Sequence, residues 1–169
     1  AEANKTGAEF TVHLTAQIEE LDAAVGQVFS ALKELGVEKN TIFIFMSDNG
    51  GSRGTSMGPL KGGKGSLYEG GPRTPFLIHW PESIPAGKVS HEIGVSSDLL
   101  PTLAKLCGGK LSGNRIDGRD LSDLFLDPDK AKSPHEGFAH KGMAYRLGKW
   151  KMVGKQLYDL EKDLGETHN

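Results

Sequence analysis

Three consecutive residues, Asp48, Asn49 and Gly50, place two oxygen-bearing side chains on a flexible turn directly after an apolar run. Carboxylate and amide oxygens are the ligands that hard cations such as calcium and magnesium prefer. The same tripeptide is also typical of an Asx turn that does no more than end a strand. Because calcium takes ~6–8 ligands, a cation site here must draw on other residues as well.

A glycine-rich segment with two lysines, Lys61 and Lys64, follows this tripeptide. Gly58, Gly63 and Lys64 match the GxxxxGK spacing of a phosphate-binding loop, but Gly65 stands where the magnesium-binding Ser or Thr belongs. A Gly-Gly-Pro sequence also interrupts the required helix, so we reject a nucleotide-binding loop. The remaining interpretations are a seat for a compact oxyanion, built from lysine ammonium groups and backbone N–H groups, or a solvated basic loop.

The other reactive side chains favour structural roles. Glu69 and Arg73 are spaced to form an ion pair that holds the shape of the loop. Cys107 lies on the apolar side of a helix end, which predicts a buried small hydrophobic residue, and a lone cysteine excludes an internal disulfide and a cysteine-based zinc cluster. The histidines show no metal-ligand spacing, at His13, His79, His91, His135, His140 and His168.

Length and composition bound the class of protein. The chain has 169 residues, of which 37% are hydrophobic and 25% charged, and this predicts a folded domain with its own core. A formal net charge of −2 means that the chain lacks the excess of positive charge that nucleic-acid binding requires, so we expect no nucleic-acid partner. No apolar run approaches the ~20 residues that span a bilayer, and the first ten residues are too polar for a signal peptide.

Helices and strands alternate in the first part of the chain and must position these residues. Apolar residues at steps of three and four predict one long amphipathic helix, with the stripe Ile18, Leu21, Val25, Val28, Leu32 and Leu35. Thr11 or Thr15 is its candidate cap, and Gly36 ends it. The unbroken apolar run at 41–47 predicts a strand buried on both faces, as in a parallel sheet. Ligands of such sheets sit beyond the carboxyl ends of the strands, where Asp48 lies.

The later elements predict a change of architecture along the chain. They are a strand at 76–80, helices at 99–106 and 117–125, a hairpin of 142–146 and 149–153, and a strand at 156–160. We therefore predict two domains, an α/β portion over residues 1–132 and a small antiparallel subdomain over residues 133–169.

The collinear order of these pieces resembles the C-terminal half of a sulfatase, of the arylsulfatase or N-acetylgalactosamine-6-sulfatase type in the alkaline-phosphatase-like superfamily. The matching stretches are residues 21–26, 40–50, 60–75 (LKGGKGSLYEGGPRTP), 80–81, 97–103, 117–118, 148–151, 157–163 and 165–166. The resemblance implies an α/β fold, part of an alkaline-phosphatase-like parallel-sheet domain followed by a small antiparallel C-terminal subdomain. It also implies hydrolysis of a sulfate ester, with a sulfated sugar as one candidate substrate.

Residue by residue, the resemblance assigns Asp48 and Asn49 as calcium ligands and Lys64 as the catalytic lysine that contacts the substrate sulfate. Lys61 is a second, weaker candidate for substrate binding. The family's nucleophile is a formylglycine made within a Cys/Ser-x-Pro-Ser-Arg motif, and this chain does not contain that motif. The family's first acidic pair of calcium ligands also has no counterpart here.

These departures lead us to expect part of a larger polypeptide, inactive by itself, that supplies half of a calcium site. The missing N-terminal half of the same polypeptide would then be its partner. The family resemblance implies a periplasmic, extracellular or lysosomal location without choosing among them. Two rivals stay open: a related metal-dependent hydrolase of phosphate or phosphonate esters, and a non-catalytic structural module.

Overall fold

A computed structural model describes residues 7–52, 54–113 and 115–169, with side chains from residue 11 onwards. The chain divides into two compact units: unit 1 is Ala1–Trp80 with Leu164–Thr167, and unit 2 is Pro81–Asp163 with the last two residues. The division of the sequence into residues 1–132 and 133–169 stays a prediction. No described helix combines the length and the apolar character that crossing a membrane requires.

Unit 1 begins with the long predicted helix, α1, over Gly7–Glu34. It ends where predicted, because Gly36 adopts a left-handed φ of 67° that few other residues tolerate. The cap prediction is wrong, since Thr11 and Thr15 both lie inside the helix. The Thr15 hydroxyl donates to the Thr11 carbonyl at 2.9 Å, which is a bond within the helix and not a cap.

Two short strands of unit 1 follow, β1 at Phe43–Met46 and β2 at Phe76–His79. They pair antiparallel, with Phe43 opposite His79 and Met46 opposite Phe76. The expectation of parallel neighbours is therefore wrong for this pair, because an unbroken apolar run does not encode the direction of pairing. Burial on both faces is also not observed, since β1 is half-buried and β2 is largely exposed.

The helix α1 packs on β1 through aromatic contacts. The Phe29 and Phe43 ring centroids lie 4.5 Å apart, and Phe29 meets the His79 ring edge-on at 5.1 Å. Val25 and Leu32 of the predicted stripe are half-buried. The other members of the stripe are exposed, namely Ile18, Leu21, Val28 and Leu35. Two strands are too narrow to cover the full width of the stripe.

Among its described residues, unit 2 has a short 3-10 helix (Ser96–Asp98), two α-helices and one antiparallel sheet. The helices are α2 (Leu99–Leu106) and α3 (Ser122–Leu126). The sheet has the order β3 (Gly137–His140), β4 (Ala144–Leu147), β5 (Trp150–Val153) and β6 (Gln156–Asp159). The predicted hairpin and the strand after it are confirmed as β4, β5 and β6, whereas β3 was not predicted.

A buried carboxylate accepts hydrogen bonds from the segments that precede α2 and α3. The Asp98 side chain is fully buried and accepts hydrogen bonds from the Val95 and Arg119 N–H groups, each at 2.8 Å, and lies 2.7 Å from His135 Nε2. The helix α3 starts at Ser122 and not at the predicted Asp117.

Cys107 follows the last residue of α2 and is exposed. The prediction of a buried cysteine is therefore wrong. Gly108 then takes a left-handed φ of 70° and turns the chain away from the helix. A helical pattern continued past the end of the helix placed Cys107 on an apolar face that does not exist there.

Candidate functional site

The predicted site residues all lie in unit 1, where the end of β1 meets a loop that we call the lysine loop (residues 61–73). Two backbone hydrogen bonds join them. The Gly50 N–H donates to the Gly71 carbonyl at 2.9 Å, and the Lys64 N–H donates to the Gly51 carbonyl at 2.8 Å. The polar end of β1 and the Lys64 segment, which belong to two separate sequence motifs, are therefore neighbours in space.

Glycine is required for this close approach of two backbones. A Cβ atom added to Gly50 would overlap the carbonyl group of Gly70, and one added to Gly63 would overlap the carbonyl oxygen of Gly51. Both partners are main-chain atoms, which cannot rotate away as a side chain can. The clustering of glycines in the sequence thus reflects backbone packing between the two segments.

Asp48 is exposed and Asn49 is half-buried at the end of β1. Within the described part of the chain, neither side chain makes a hydrogen bond or an ion pair, so their oxygens are open to a ligand. Three residues of chain span at most about 11 Å, which keeps the Asp48 Cα within that reach of Gly51. A carboxylate and an amide oxygen suit a hard cation.

The described residues do not form a complete cation site. The described residues include no cluster of three or more His, Cys, Asp or Glu side chains that could hold a metal ion. Asp48 and Asn49 therefore fit a calcium ion by ligand chemistry and by accessibility, but they do not complete its coordination.

Lys64 is exposed, and its ammonium group makes no hydrogen bond or ion pair among the described residues. It lines an open pocket of about 460 Å³. The other lining residues are Gly51, Ser52, Thr55, Met57, Gly62 and Gly63. The pocket includes neither Asp48 nor Asn49, so Lys64 reaches it from the lysine loop while the two candidate calcium ligands lie outside it.

The backbone N–H groups of the lysine loop are mostly engaged, contrary to the idea that glycine leaves them accessible. Those of Lys64, Ser66, Gly70 and Gly71 donate to carbonyl groups within unit 1. The loop folds on itself and uses these donors internally. An anion held here would be bound chiefly by the side-chain ammonium and less by the main chain.

Lys61 has a different environment from Lys64. Its ammonium donates to the Glu166 carbonyl at 3.0 Å and lies 3.9 Å from the centre of the Tyr68 ring. These contacts commit Lys61 to holding the loop, and the geometry favours Lys64 as the residue that contacts a ligand. The assignment of Lys61 to substrate binding stays a prediction.

The predicted pair of Glu69 and Arg73 is confirmed, with 3.7 Å between Glu69 Oε2 and Arg73 Nη1. Glu69 is buried, and its N–H donates to Glu166 Oε2 at 2.6 Å. Glu166 was not identified from the sequence. No local signal could have found it, because 97 residues separate it from Glu69.

Comparison with known proteins gives the family. A model described as Sulfatase matches residues 13–109, which is more than half of the chain. Human (Homo sapiens) arylsulfatase A is 39% identical over 191 residues, covering 89% of this chain and 37% of that protein. Mouse (Mus musculus) N-acetylgalactosamine-6-sulfatase is 40% identical over 144 residues, covering 79% of this chain and 27% of that protein. The chain thus spans well under half the length of these relatives.

Solved structures give the fold. The crystal structure of Ps i-CgsB matches 99% of this chain and 40% of its own, with a TM-score of 0.82 and 34% identity. The same protein in complex with k-i-k-neocarrahexaose matches 88% of this chain and 36% of its own, with a TM-score of 0.76 and 38% identity. The fold is mixed α/β with small antiparallel sheets and corresponds to part of the alkaline-phosphatase-like fold. The chain belongs to the sulfatase family.

Proposed function

We propose that the protein is a sulfatase, a hydrolase of sulfate esters, and that unit 1 of this chain supplies part of its calcium site and its sulfate-contacting lysine. The observation that carries the proposal is the position of Lys64. Lys64 lines an open pocket, and its ammonium makes no hydrogen bond or ion pair among the described residues. Its N–H donates to the carbonyl of Gly51, two residues after Asn49.

Asp48 and Asn49 are the residues that would hold calcium. A bound divalent cation supplies positive charge that polarises the oxygens of the sulfate group. The carboxylate of Asp48 and the amide oxygen of Asn49 are hard donors with no competing partner among the described residues, which supports this role. The remaining ligands would come from residues outside this chain.

Lys64 would act on the charge of the substrate. Its ammonium can donate to a sulfate oxygen, or to the bridging oxygen as the S–O bond breaks and negative charge develops there. Because the loop backbone is fixed at Gly51 and Gly71, this donor is positioned before the substrate arrives. Lys61 has the weaker claim, since its ammonium is bonded to Glu166.

The nucleophile would come from the rest of the sulfatase. A formylglycine outside this chain would supply the nucleophile, and this chain lacks the motif from which it is made. We therefore expect sulfatase activity from the complete protein and none from these 169 residues alone. Activity of this chain alone would overturn the assignment of an incomplete site.

The substrate class that we propose is a sulfate ester carried on a sugar. Two relatives support this choice: Ps i-CgsB was crystallised with an oligosaccharide, and the mouse relative is named for a sulfated amino sugar. The residues that would recognise the sugar lie outside the contacts described above.

The decisive experiment is Lys64→Ala in the complete enzyme, assayed with an aryl sulfate. Loss of a preorganised donor of this kind lowers kcat by about 10²–10³. Since the Lys64 side chain is exposed and makes no hydrogen bond or ion pair among the described residues, the melting temperature should stay unchanged. Lys39→Ala removes another exposed lysine of unit 1 and should keep wild-type turnover. Near-wild-type turnover in Lys64→Ala would refute the role.

Two further measurements separate the proposal from its rivals. A phosphate or phosphonate ester hydrolase would turn over an aryl phosphate faster than the matching aryl sulfate. A non-catalytic module would turn over neither ester, even as the complete protein with calcium. A sulfatase is expected to prefer the aryl sulfate and to lose activity when a chelator removes the cation.

A further inference from the structure

We propose that Glu166 is a positioning residue that clamps the two ends of the lysine loop and so fixes Lys64 between them. The catalytic consequence rests on the proposed sulfatase function, whereas the clamp itself does not. Glu166 lies in the short C-terminal segment Leu164–Thr167, which belongs to unit 1 although the residues before it belong to unit 2.

Glu166 contacts both ends of the loop at once. Its carbonyl oxygen accepts a hydrogen bond from Lys61 Nζ at 3.0 Å, at the start of the loop. Its carboxylate oxygen Oε2 accepts the Glu69 N–H at 2.6 Å, near the end of the loop. A hydrogen bond to a charged acceptor is roughly twice as strong as one between neutral groups. One residue thus holds two points that lie eight positions apart in the chain.

The loop is also closed by its own backbone at the same place. The Gly70 N–H donates to the Lys61 carbonyl at 2.8 Å, so the two clamped ends are adjacent. Lys64 lies in the span between them and is otherwise fixed by its N–H bond to Gly51. Release of the clamp would let the ends separate and would shift the Lys64 ammonium.

Glu166 is withdrawn from water in the clamp. The residue is fully buried and adopts a left-handed φ of 50°, which is uncommon outside glycine. A carboxylate withdrawn from water is tolerated only while its hydrogen bonds are made. No apolar side chain among the described residues of unit 1 is buried to the same degree, so the loop depends on these polar contacts.

Hydrogen exchange of the Glu69 and Gly70 amides, measured by NMR on the full chain, tests the clamp directly. In Glu166→Ala we expect both amides to exchange at least about 10-fold faster than in wild type. Glu166→Gln keeps an acceptor oxygen at the same distance and should stay within about 3-fold. Glu166→Asp keeps the charge but withdraws the carboxylate by one methylene, so exchange should again be accelerated.

The series can be interpreted even if Glu166→Ala does not fold. Glu166→Gln removes the charge but keeps the position of the acceptor oxygen, whereas Glu166→Asp keeps the charge but moves the acceptor. Glu161→Ala, at an exposed acidic residue nearby in the sequence, is the matched control and should leave both amides unchanged. Unaltered exchange in folded Glu166→Ala and Glu166→Asp would overturn the clamp. So would equal acceleration in Glu166→Gln and Glu166→Asp.

Turnover by the complete enzyme tests the consequence for Lys64. We expect kcat to fall about 10-fold in Glu166→Asp with little change in KM, and to be restored in Glu166→Gln. If the wild-type protein hydrolyses no sulfate ester, the proposed function fails, while the exchange result still decides the clamp. Accelerated exchange with unchanged kcat would overturn the positioning role of Glu166.

Discussion

In unit 2 the side chains that are withdrawn from water are mostly apolar, whereas in unit 1 the buried positions are carboxylates and glycines. The buried apolar residues among those described all belong to unit 2: Leu121, Leu124, Phe125, Ala144, Val153, Tyr158 and Leu160. Among the residues of unit 1 whose burial is described, the buried ones are Gly50, Glu69, Gly70, Gly71 and Glu166. Unit 2 is therefore organised by apolar packing, and unit 1 by hydrogen bonds between backbone segments and two buried carboxylates.

This difference between the two units has a consequence for function. A loop held by directional hydrogen bonds can place a charged group accurately while the surface around it stays open to a ligand. In unit 1 that group is Lys64, whose ammonium makes no hydrogen bond or ion pair among the described residues although its backbone is fixed. Unit 2 buries its carboxylate, Asp98, in a structural network that leaves no such open group.

The largest expected effect on stability comes from the buried aspartate of unit 2. Asp98→Ala leaves the Val95 and Arg119 N–H groups and His135 without their acceptor, which should cost about 3–5 kcal/mol of unfolding free energy. Asp48→Ala, at an exposed aspartate of unit 1, should stay within about 0.5 kcal/mol. Urea unfolding followed by circular dichroism measures both, and similar losses would contradict the comparison.

Large-to-small substitutions test where the apolar core lies. Leu124→Ala in α3 creates a cavity in unit 2 and should destabilise the protein by about 2–5 kcal/mol. Leu21→Ala on α1 truncates a side chain that is already exposed and should cost less than about 1 kcal/mol. If Leu21→Ala proved as costly as Leu124→Ala in urea unfolding, unit 1 would have an apolar core that this chain does not show.

Two glycines of unit 1 should respond in opposite directions to a methyl group. Gly50→Ala forces a Cβ into the Gly70 carbonyl and should cost about 1–3 kcal/mol. Gly26→Ala fills open space on α1 and should add about 0.8–1.0 kcal/mol through helix propensity. Melting temperatures of the two variants check the signs, and stabilisation by Gly50→Ala would exclude the close backbone approach.

The smallest effect concerns pH and an ion pair of unit 2. The Ser133 N–H, and then Lys132, hold the pKa of the Glu92 carboxyl below its usual value of 4.5. The carboxylate therefore stabilises the folded state above pH 4.5, and this stabilisation is lost as the pH falls through the lower folded pKa. Because the side chain is 28% exposed, we expect less than about 1 kcal/mol.

Glu92→Gln is the variant that measures this contribution. The unfolding free energies of Glu92→Gln and wild type should differ at pH 7 and converge towards pH 3, since protonation removes the Glu92 charge from wild type and the variant carries none at either pH. A difference that grows as the pH falls would have the opposite sign and would show that the folded state favours the protonated carboxyl.

Much of the fold of each unit could be predicted because its signals are local. The period of apolar residues fixed α1, the turn glycine at Gly36 fixed its end, and alternating β-forming residues fixed the hairpin of unit 2. The strand β3 was missed because Gly137 and Ala139 are weak strand formers, and pairing with β4 supplies what their propensity lacks.

Some residues of the candidate site could be predicted from the sequence, and one could not. Asp48, Asn49 and Lys64 were identified from residue chemistry and family resemblance, and the structure then placed the Lys64 segment beside the end of β1. Glu166 could not be found this way, because a buried glutamate in a polar C-terminal segment has no distinguishing local pattern. Its role exists only through contacts with residues about a hundred positions away.

The sequence by itself therefore determined where most of the helices and strands lie and which side chains have the chemistry to bind a cation or an oxyanion. Backbone propensities act over a few residues, and a side chain carries its ligand or donor atoms wherever it lies, so short patterns are enough to identify both. The tertiary structure alone decided the antiparallel pairing of β1 and β2, the exposure of Cys107 and the clamp on the lysine loop. These depend on which distant segments meet, and that choice is made by the packing of the whole unit.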